Sequence, residues 1–336
     1  MKNLTYSTTR HAINADTQEM AALVKQSNKP DDKVETVLFQ PGDVGRQGEG
    51  GLRTKGYFKV GGIITESTVL AIEAKQSSAD SLTPHASPLI TVITVVFNGE
   101  KFLEETILSV INQTYDNVEY IIIDGGSTDS TLEIIKKYEH AIDYWVSEKD
   151  KGIYDAMNKG VCLSQGKWVS FLNAADSYNL EALTHFSHVL KSTHFGLYVA
   201  SCRYLSENEV LYVHHPNGFS KNEVLPHPAM ISDRNFFSKY GLFDLKFRVF
   251  ADAVWAIQVR KSEVVFFDDF VFTSMTYGGV SSSITPKFLN ECYRFRRINN
   301  GFFYSIFLGI FKPYFGCILN LMLGVNYYHL LKKKIT

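Results

Sequence analysis

The sequence lacks a C-x-x-C pair. Its four cysteines, Cys162, Cys202, Cys292 and Cys317, are scattered over 336 residues, which argues against a zinc site or a disulfide framework and fits a reducing compartment. It also lacks net charge, with 34 basic and 35 acidic residues. No global field therefore recruits nucleic acid, and any phosphate site must be built locally. The stretch from Met1 to Met20 is polar, without the apolar core of a secretory signal, and none is expected there. No internal repeat is visible.

What is present is an ordinary globular composition. An apolar fraction of 45% and a charged fraction of 21% allow one large domain or two small ones, either with a substantial core. Residues 1–87 show no sustained periodicity and are expected to form an N-terminal extension and linker. Within them Val37-Leu-Phe39 reads as a short strand. Pro41 to Gly51 is rich in glycine, but too many glycines follow for the helix a phosphate loop needs, so a flexible or docking segment is expected. Ser77 to Pro88, rich in Ser, Ala, Asp, Thr and Pro, reads as a linker. From Gly301 to Val325 the chain is almost wholly apolar, broken by Lys312-Pro313, and Lys332-Lys-Lys334 follows. That pattern suits a pair of interfacial helices beside anionic lipid better than one clean span. A helix packed on the domain's own core is the plainer alternative.

After Pro88 the pattern becomes regular. Leu89 to Phe97 is a continuous, largely β-branched run, the signature of a strand buried on both faces of a parallel sheet. A helix is expected over 101–113 and a strand over 118–123. A helix over 128–138 and a strand over 143–147 follow. Next come a helix over 152–164, with Ile153, Met157, Gly160, Val161 and Ser164 on one side, and a strand over 168–172. A helix over 180–192 then leads to strands over 195–204 and 209–214. This alternation predicts an α/β fold with right-handed crossovers, a doubly wound, mostly parallel sheet and helices on both faces. The expected division is 1–87 for the extension, 88–295 for the domain and 296–336 for apolar C-terminal helices.

Polar residues follow at once where three of the strands end: Asn98-Gly99-Glu100, Asp124-Gly-Gly126 and Asn173-Ala-Ala-Asp176. Open α/β sheets bind ligands in the crevice beyond such carboxyl ends. Asp155 and Asn158 lie three apart, so they share one helical face.

Six segments in order carry a resemblance. They are Val95-Val-Phe-Asn-Gly-Glu100, Ser109-Val-Ile-Asn-Gln-Thr-Tyr115, Ile122-Ile-Asp-Gly-Gly-Ser-Thr-Asp129, the run Lys149 to Gly160, Phe171-Leu-Asn-Ala-Ala-Asp176 and the run Phe243 to Asp252. Together they resemble the family 2 glycosyltransferases of GT-A fold that build bacterial surface polysaccharides, over about Pro88 to Arg260. The resemblance implies an inverting transfer of sugar from a nucleotide-sugar donor, UDP-linked above all, to a hydroxyl of a glycan or lipid-linked acceptor. It implies that Asp124 takes the base or ribose, and that Val96, Asn98, Glu100, Asp155, Asn158 and Asn173 line the donor pocket. Asp176 would hold a divalent metal, Mg or Mn. Asp252 falls where the family places its catalytic base, and His227 is either a phosphate or metal contact or a structural histidine. Ala175 and Val254 stand where acidic residues are common, which motivates the alternative of a degenerate member serving as a partner in a polysaccharide assembly complex. Nucleotidyl transfer is disfavoured, because Phe97-Asn-Gly-Glu100 does not supply an Arg- and Lys-bearing phosphate loop. The implied place of work is the cytoplasm, with the inner face of the cell membrane as a candidate surface.

Overall fold

The structure, a computed structural model, describes residues 6–59, 61, 87–192, 195–206, 209–216, 225–276 and 285–300. The expected apolar run over 301–325, the basic run after it and most of the linker over 77–88 lie outside these residues.

The first regular strand, β4 (Ile90–Val96), is buried at every position, as is β5 (Val118–Asp124). Their side chains alternate between two cores. Ile93, Val95, Ile121 and Ile123 face one, and Ile90, Val92, Tyr120 and Ile122 face the other. With β1 (Ala12–Asn14), β2 (Gly48–Gly50) and β3 (Tyr57–Lys59) preceding them, β6 (Tyr144–Ser147), β7 (Trp168–Phe171), β8 (Asp176–Tyr178), β9 (Leu197–Ser206), β10 (Glu209–His214), β11 (Met230–Asp233) and β12 (Val264–Thr276) follow. The large sheet runs β2-β6-β5-β4-β7-β11-β9-β12-β8, with β10 on β9. Strands β4 to β7 pair in parallel. The direction reverses at β11, antiparallel to both β7 and β9. The expected doubly wound, mostly parallel sheet is present. Its chain order turns outward in both directions from β4, and that switch point is where a crevice opens.

Among the described residues the helices are α1 (Thr17–Ser27), α2 (Leu103–Ile111), α3 (Thr131–Lys137), α4 (Ile153–Leu163), α5 (Ala182–Ser192), α6 (Asn235–Tyr240), α7 (Ala251–Ala256) and α8 (Pro286–Asn300). Helix α4 lies close on β4, because a Cβ at Gly160 would stand 2.4 Å from a methyl of Ile93. Its first residue, Ile153, is 37% exposed at the rim, so the buried face begins one residue later, at Tyr154. Leu180 likewise precedes its helix and is exposed.

Residues 6–59 dock on the domain, and β2 adds an antiparallel edge strand to β6. Its glycines lie flat on Trp145, whose indole would stand 2.7 Å from a Cβ at Gly50. Arg53 is buried and reaches Glu119 Oε1 at 2.5 Å, Leu38 O at 3.1 Å and Leu163 O at 3.0 Å. The other oxygen of Glu119 accepts from Thr91 Oγ1 and the Gln165 N–H. Lys59, also buried, donates to Arg10 O and stands beside Asp143. Burial pushes the Asp143 carboxyl up to about 7, against the opposing pull of Lys59. Val37-Leu-Phe39 is not a strand; the Val37 N–H donates to Cys162 O. At the other end the expected boundary at 295 falls inside α8, which continues to Asn300. Among the described residues no helix is long and apolar enough to cross a membrane.

Candidate active site

Two loops close one wall of the crevice by bonding to each other. After β4, Asn98 takes a left-handed backbone at φ 50°, and its side-chain oxygen accepts from the Thr128 N–H at 2.9 Å. Its own N–H donates to Ser127 Oγ at 2.7 Å. The Glu100 carboxylate accepts from the Ser130 N–H, and the Glu100 N–H donates to Asp129 Oδ2, both at 3.1 Å. Asn98 and Glu100 thus stand at the strand end, where they join the β4 and β5 loops. Val96, nearly buried, ends β4 opposite Asp124, and its carbonyl accepts from the Gly125 N–H.

Asp124 is fully buried and turned inward. Its oxygens accept from the Ser127 hydroxyl and N–H and from the Ser147 hydroxyl. The carboxylate therefore shapes the turn that carries Gly125 and Gly126. The acidic group over that turn is Asp150, whose oxygen would stand 2.5 Å from a Cβ at Gly125, so a side chain there would move the Asp150 carboxylate aside. Burial raises the Asp150 carboxyl above its ordinary value. Arg46, from the N-terminal segment, and Lys159 both bind Glu148 beside it, at 2.9 and 2.7 Å.

Asp155 and Asn158 share the helix but bond to different segments. Asp155 accepts from the Lys151 N–H at the helix start. The Asn158 amide is bonded twice to the backbone of Phe243, at 3.0 and 2.9 Å, and so ties α4 to the segment before α7. Spacing along a helix gives a shared face, but the elements packed around it decide what that face meets.

The structure does bring Asn173, His227 and Asp252 together. Asn173 Nδ2 lies 2.8 Å from His227 Nε2, and His227 Nδ1 lies 3.0 Å from Asp252 Oδ2. A neutral imidazole with its proton on Nδ1 satisfies both contacts: it accepts from the amide and donates to the carboxylate. The second oxygen, Asp252 Oδ1, receives the Ala253 N–H and lies 2.8 Å from the Tyr154 hydroxyl, which also reaches Val249 O at 2.8 Å. Burial first, and then the neighbouring Asp252, push the Tyr154 phenol well above its ordinary value. A small apolar cavity adjoins the cluster, lined by Phe171, Leu197, Phe237 and Trp255 with His227, Asp252 and Ser232. The sequence signalled Tyr154 only as a member of the Lys149 to Gly160 motif, where its role could not be read.

Asp176 sits three residues beyond Asn173, nearly buried, at the start of β8. Burial pushes its carboxyl up to about 7, against the opposing pull of backbone N–H groups of Thr276 and Asn173. Ala175 before it holds φ 83°, unusual for a residue with a side chain. The Asn173 side-chain oxygen is buried without a partner. A buried carboxylate with an unpaired amide oxygen three residues before it in the chain suits a hard divalent cation chemically, with the remaining ligands left to substrate and water. Among the described residues no three His, Cys, Asp or Glu side chains group closely enough to hold a metal on their own.

A parallel core with a crevice at its switch point, flanked by strands of mixed direction, is the GT-A glycosyltransferase architecture. S. aureus TarS, solved in complex with UDP-GlcNAc, has the same fold, with a TM-score of 0.52 at 16% identity over 66% of this chain and 73% of that one. Residues 91–266, just over half of the chain, match the family described as glycosyl transferase family 2, and the chain belongs to that family. An uncharacterized glycosyltransferase of Mycobacterium tuberculosis is 33% identical over 182 residues, 50% of this chain and 67% of the relative. A PGL/p-HBAD biosynthesis glycosyltransferase of Mycobacterium bovis is 29% identical over 228 residues, 60% of this chain and 82% of the relative.

Proposed function

We propose that this glycosyltransferase moves a sugar from a UDP-sugar to a hydroxyl of a cell-surface glycan or lipid-linked acceptor, with inversion at the anomeric carbon. The observation that carries this reading is the hydrogen-bonded line Asn173–His227–Asp252–Tyr154, which links the donor-side strand end to a carboxylate from the acceptor-side helix. The relative of the same fold bound to UDP-GlcNAc supports the donor class, and the PGL/p-HBAD biosynthesis named for the mycobacterial relative supports a glycosylated product.

In this mechanism the wall made by Asn98, Glu100 and the Asp124 turn receives the nucleoside, and Asp150 stands over the same turn. Asp252 removes the proton from the acceptor hydroxyl as its oxygen bonds to the anomeric carbon. The bond from that carbon to the diphosphate breaks on the opposite side, and the nucleotide leaves with the electron pair. His227 and Tyr154 hold the Asp252 carboxylate so that it faces the acceptor. Asp176, with the Asn173 side-chain oxygen, would hold Mg or Mn. That ion, when bound, supplies positive charge against the charge gathering on the diphosphate. Residues 296–336 are proposed to meet the inner membrane surface, which suits a lipid-linked acceptor.

The test is transfer by Asp252→Asn and Asp176→Ala variants, each confirmed as folded, using whichever nucleotide sugar a hydrolysis panel selects. Full activity in both would overturn the reading.

Ala175 favours a second reading, a degenerate member acting as a partner in polysaccharide assembly, because it leaves Asp176 without an acidic neighbour. Calorimetry with UDP and Mn²⁺ separates the two. Metal-dependent nucleotide binding supports the enzyme, and no binding supports the partner.

A further inference from the structure

We propose that Glu291, on α8 and beyond the residues matched by the family, is a positioning residue for Asp252. The proposal rests on the reading of Asp252 as the base. The segment before α7, residues 246–250, belongs to no regular element, so it has no ladder of its own to fix the angle at which Asp252 is presented. Helix α8 supplies that constraint. The nearly buried Glu291 carboxylate accepts from the Arg248 N–H at 2.9 Å and from the Val249 N–H at 2.8 Å. Two consecutive backbone donors on one carboxylate fix the orientation of the peptide between them, as a side-chain cap does at a helix start.

The constraint reaches the base in one further step. Val249 O, on the residue whose N–H Glu291 holds, lies 2.8 Å from the Tyr154 hydroxyl, which contacts Asp252 Oδ1. On the same helix, Phe295 stacks on Phe250 with ring centroids 5.5 Å apart. Arg294 lies over Phe247 at 4.4 Å and donates to Lys246 O. One face of α8 thus engages all five residues that lead into the base helix. The hydrogen bonds of the Glu291 carboxylate go to the backbone at 248–249, so its effect on Asp252 passes through that backbone and through Tyr154.

The test compares Glu291→Ala, Glu291→Gln and Asp252→Asn in the full chain. The readouts are transfer kinetics with the panel-selected nucleotide sugar, UDP affinity by calorimetry, and melting temperature. Glutamine keeps one oxygen able to accept from the backbone, and alanine keeps none. The expected result is a kcat lowered at least tenfold in Glu291→Ala, with donor KM and UDP affinity unchanged and most of kcat recovered in Glu291→Gln. Unchanged kcat in Glu291→Ala overturns the inference, as does a fall in kcat matched by an equal loss of UDP affinity. If the alanine variant does not fold, the glutamine variant decides: near-parental kcat and UDP affinity support the inference, and a loss of both overturns it. Full transfer by Asp252→Asn would instead remove the underlying reading of the base. Inactive Asp252→Asn beside a fully active Glu291→Ala removes only the positioning role.

Discussion

The imidazole of His227 and the carboxylate of Asp252 face each other at 3.0 Å, Nδ1 to Oδ2, and the far ring nitrogen is held by Asn173. The ring therefore sets one oxygen of the proposed base while its other edge is anchored to the end of β7. His227→Ala removes that restraint without removing the carboxylate. Misplacement of a reacting group by about 1 Å can lower rates about 10²-fold, and a kcat loss of that order is expected with donor KM little changed. Steady-state kinetics against donor concentration checks it; parental kcat would count against the restraint.

Tyr154→Phe takes away the hydroxyl between Val249 O and Asp252 Oδ1 but keeps the ring in the core. The expected outcome is a stability loss of about 1 kcal/mol, the usual worth of one hydrogen bond, together with a lower kcat. Urea unfolding and turnover are the measurements. A kcat equal to the parent's would assign this hydroxyl to the fold alone.

Arg53→Met leaves Glu119 charged and buried without its guanidinium. Removing one partner of a buried ion pair costs about 3–5 kcal/mol, and a loss of that size is expected by chemical denaturation. Glu119→Gln added to Arg53→Met should restore part of it. A chain beginning at Ser87 lacks Arg53 and the β2 edge as well, and it should unfold at lower denaturant than the full chain. Equal midpoints would make residues 6–59 dispensable.

Asp143 gives a pH prediction. Its folded carboxyl is raised to about 7 by burial, above the unfolded value of about 3.9. Between these limits the folded state binds more protons than the unfolded one, so this group's contribution to stability falls as pH rises. It is fully present below about pH 4 and lost by about pH 7. Asp143→Asn keeps an acceptor for the Tyr120 N–H and does not titrate. Its stability relative to the parent should rise over that window and then level off, as thermal melts at several pH values would record; a constant difference would refute the shift.

The parallel core was legible because β4, β5 and β7 are short apolar runs with polar residues at once beyond them, as expected of strands buried on both faces. The strand ends bearing Asn98, Asp124, Asn173 and Asp176 were legible for the same reason. The tasks of individual side chains were not. The Asn158 amide bonds to Phe243, 85 residues away, and the inward turn of Asp124 depends on the Ser147 hydroxyl on the next strand. The docking of residues 6–59 was hidden more deeply: glycines that look like a loose loop lie against the flat indole of Trp145, and that contact leaves no periodic trace. Ala175 was visible as a departure, but its left-handed backbone was not.

The burial of Arg53 also has a consequence in time. Its last backbone acceptor, Leu163 O, lies 110 residues further along the chain. At a ribosomal pace of about 5–20 residues per second, those 110 residues take roughly 5–20 s to make. For that interval the set of acceptors around the guanidinium is incomplete, so the packing of the part of the protein made first cannot finish until α4 has emerged.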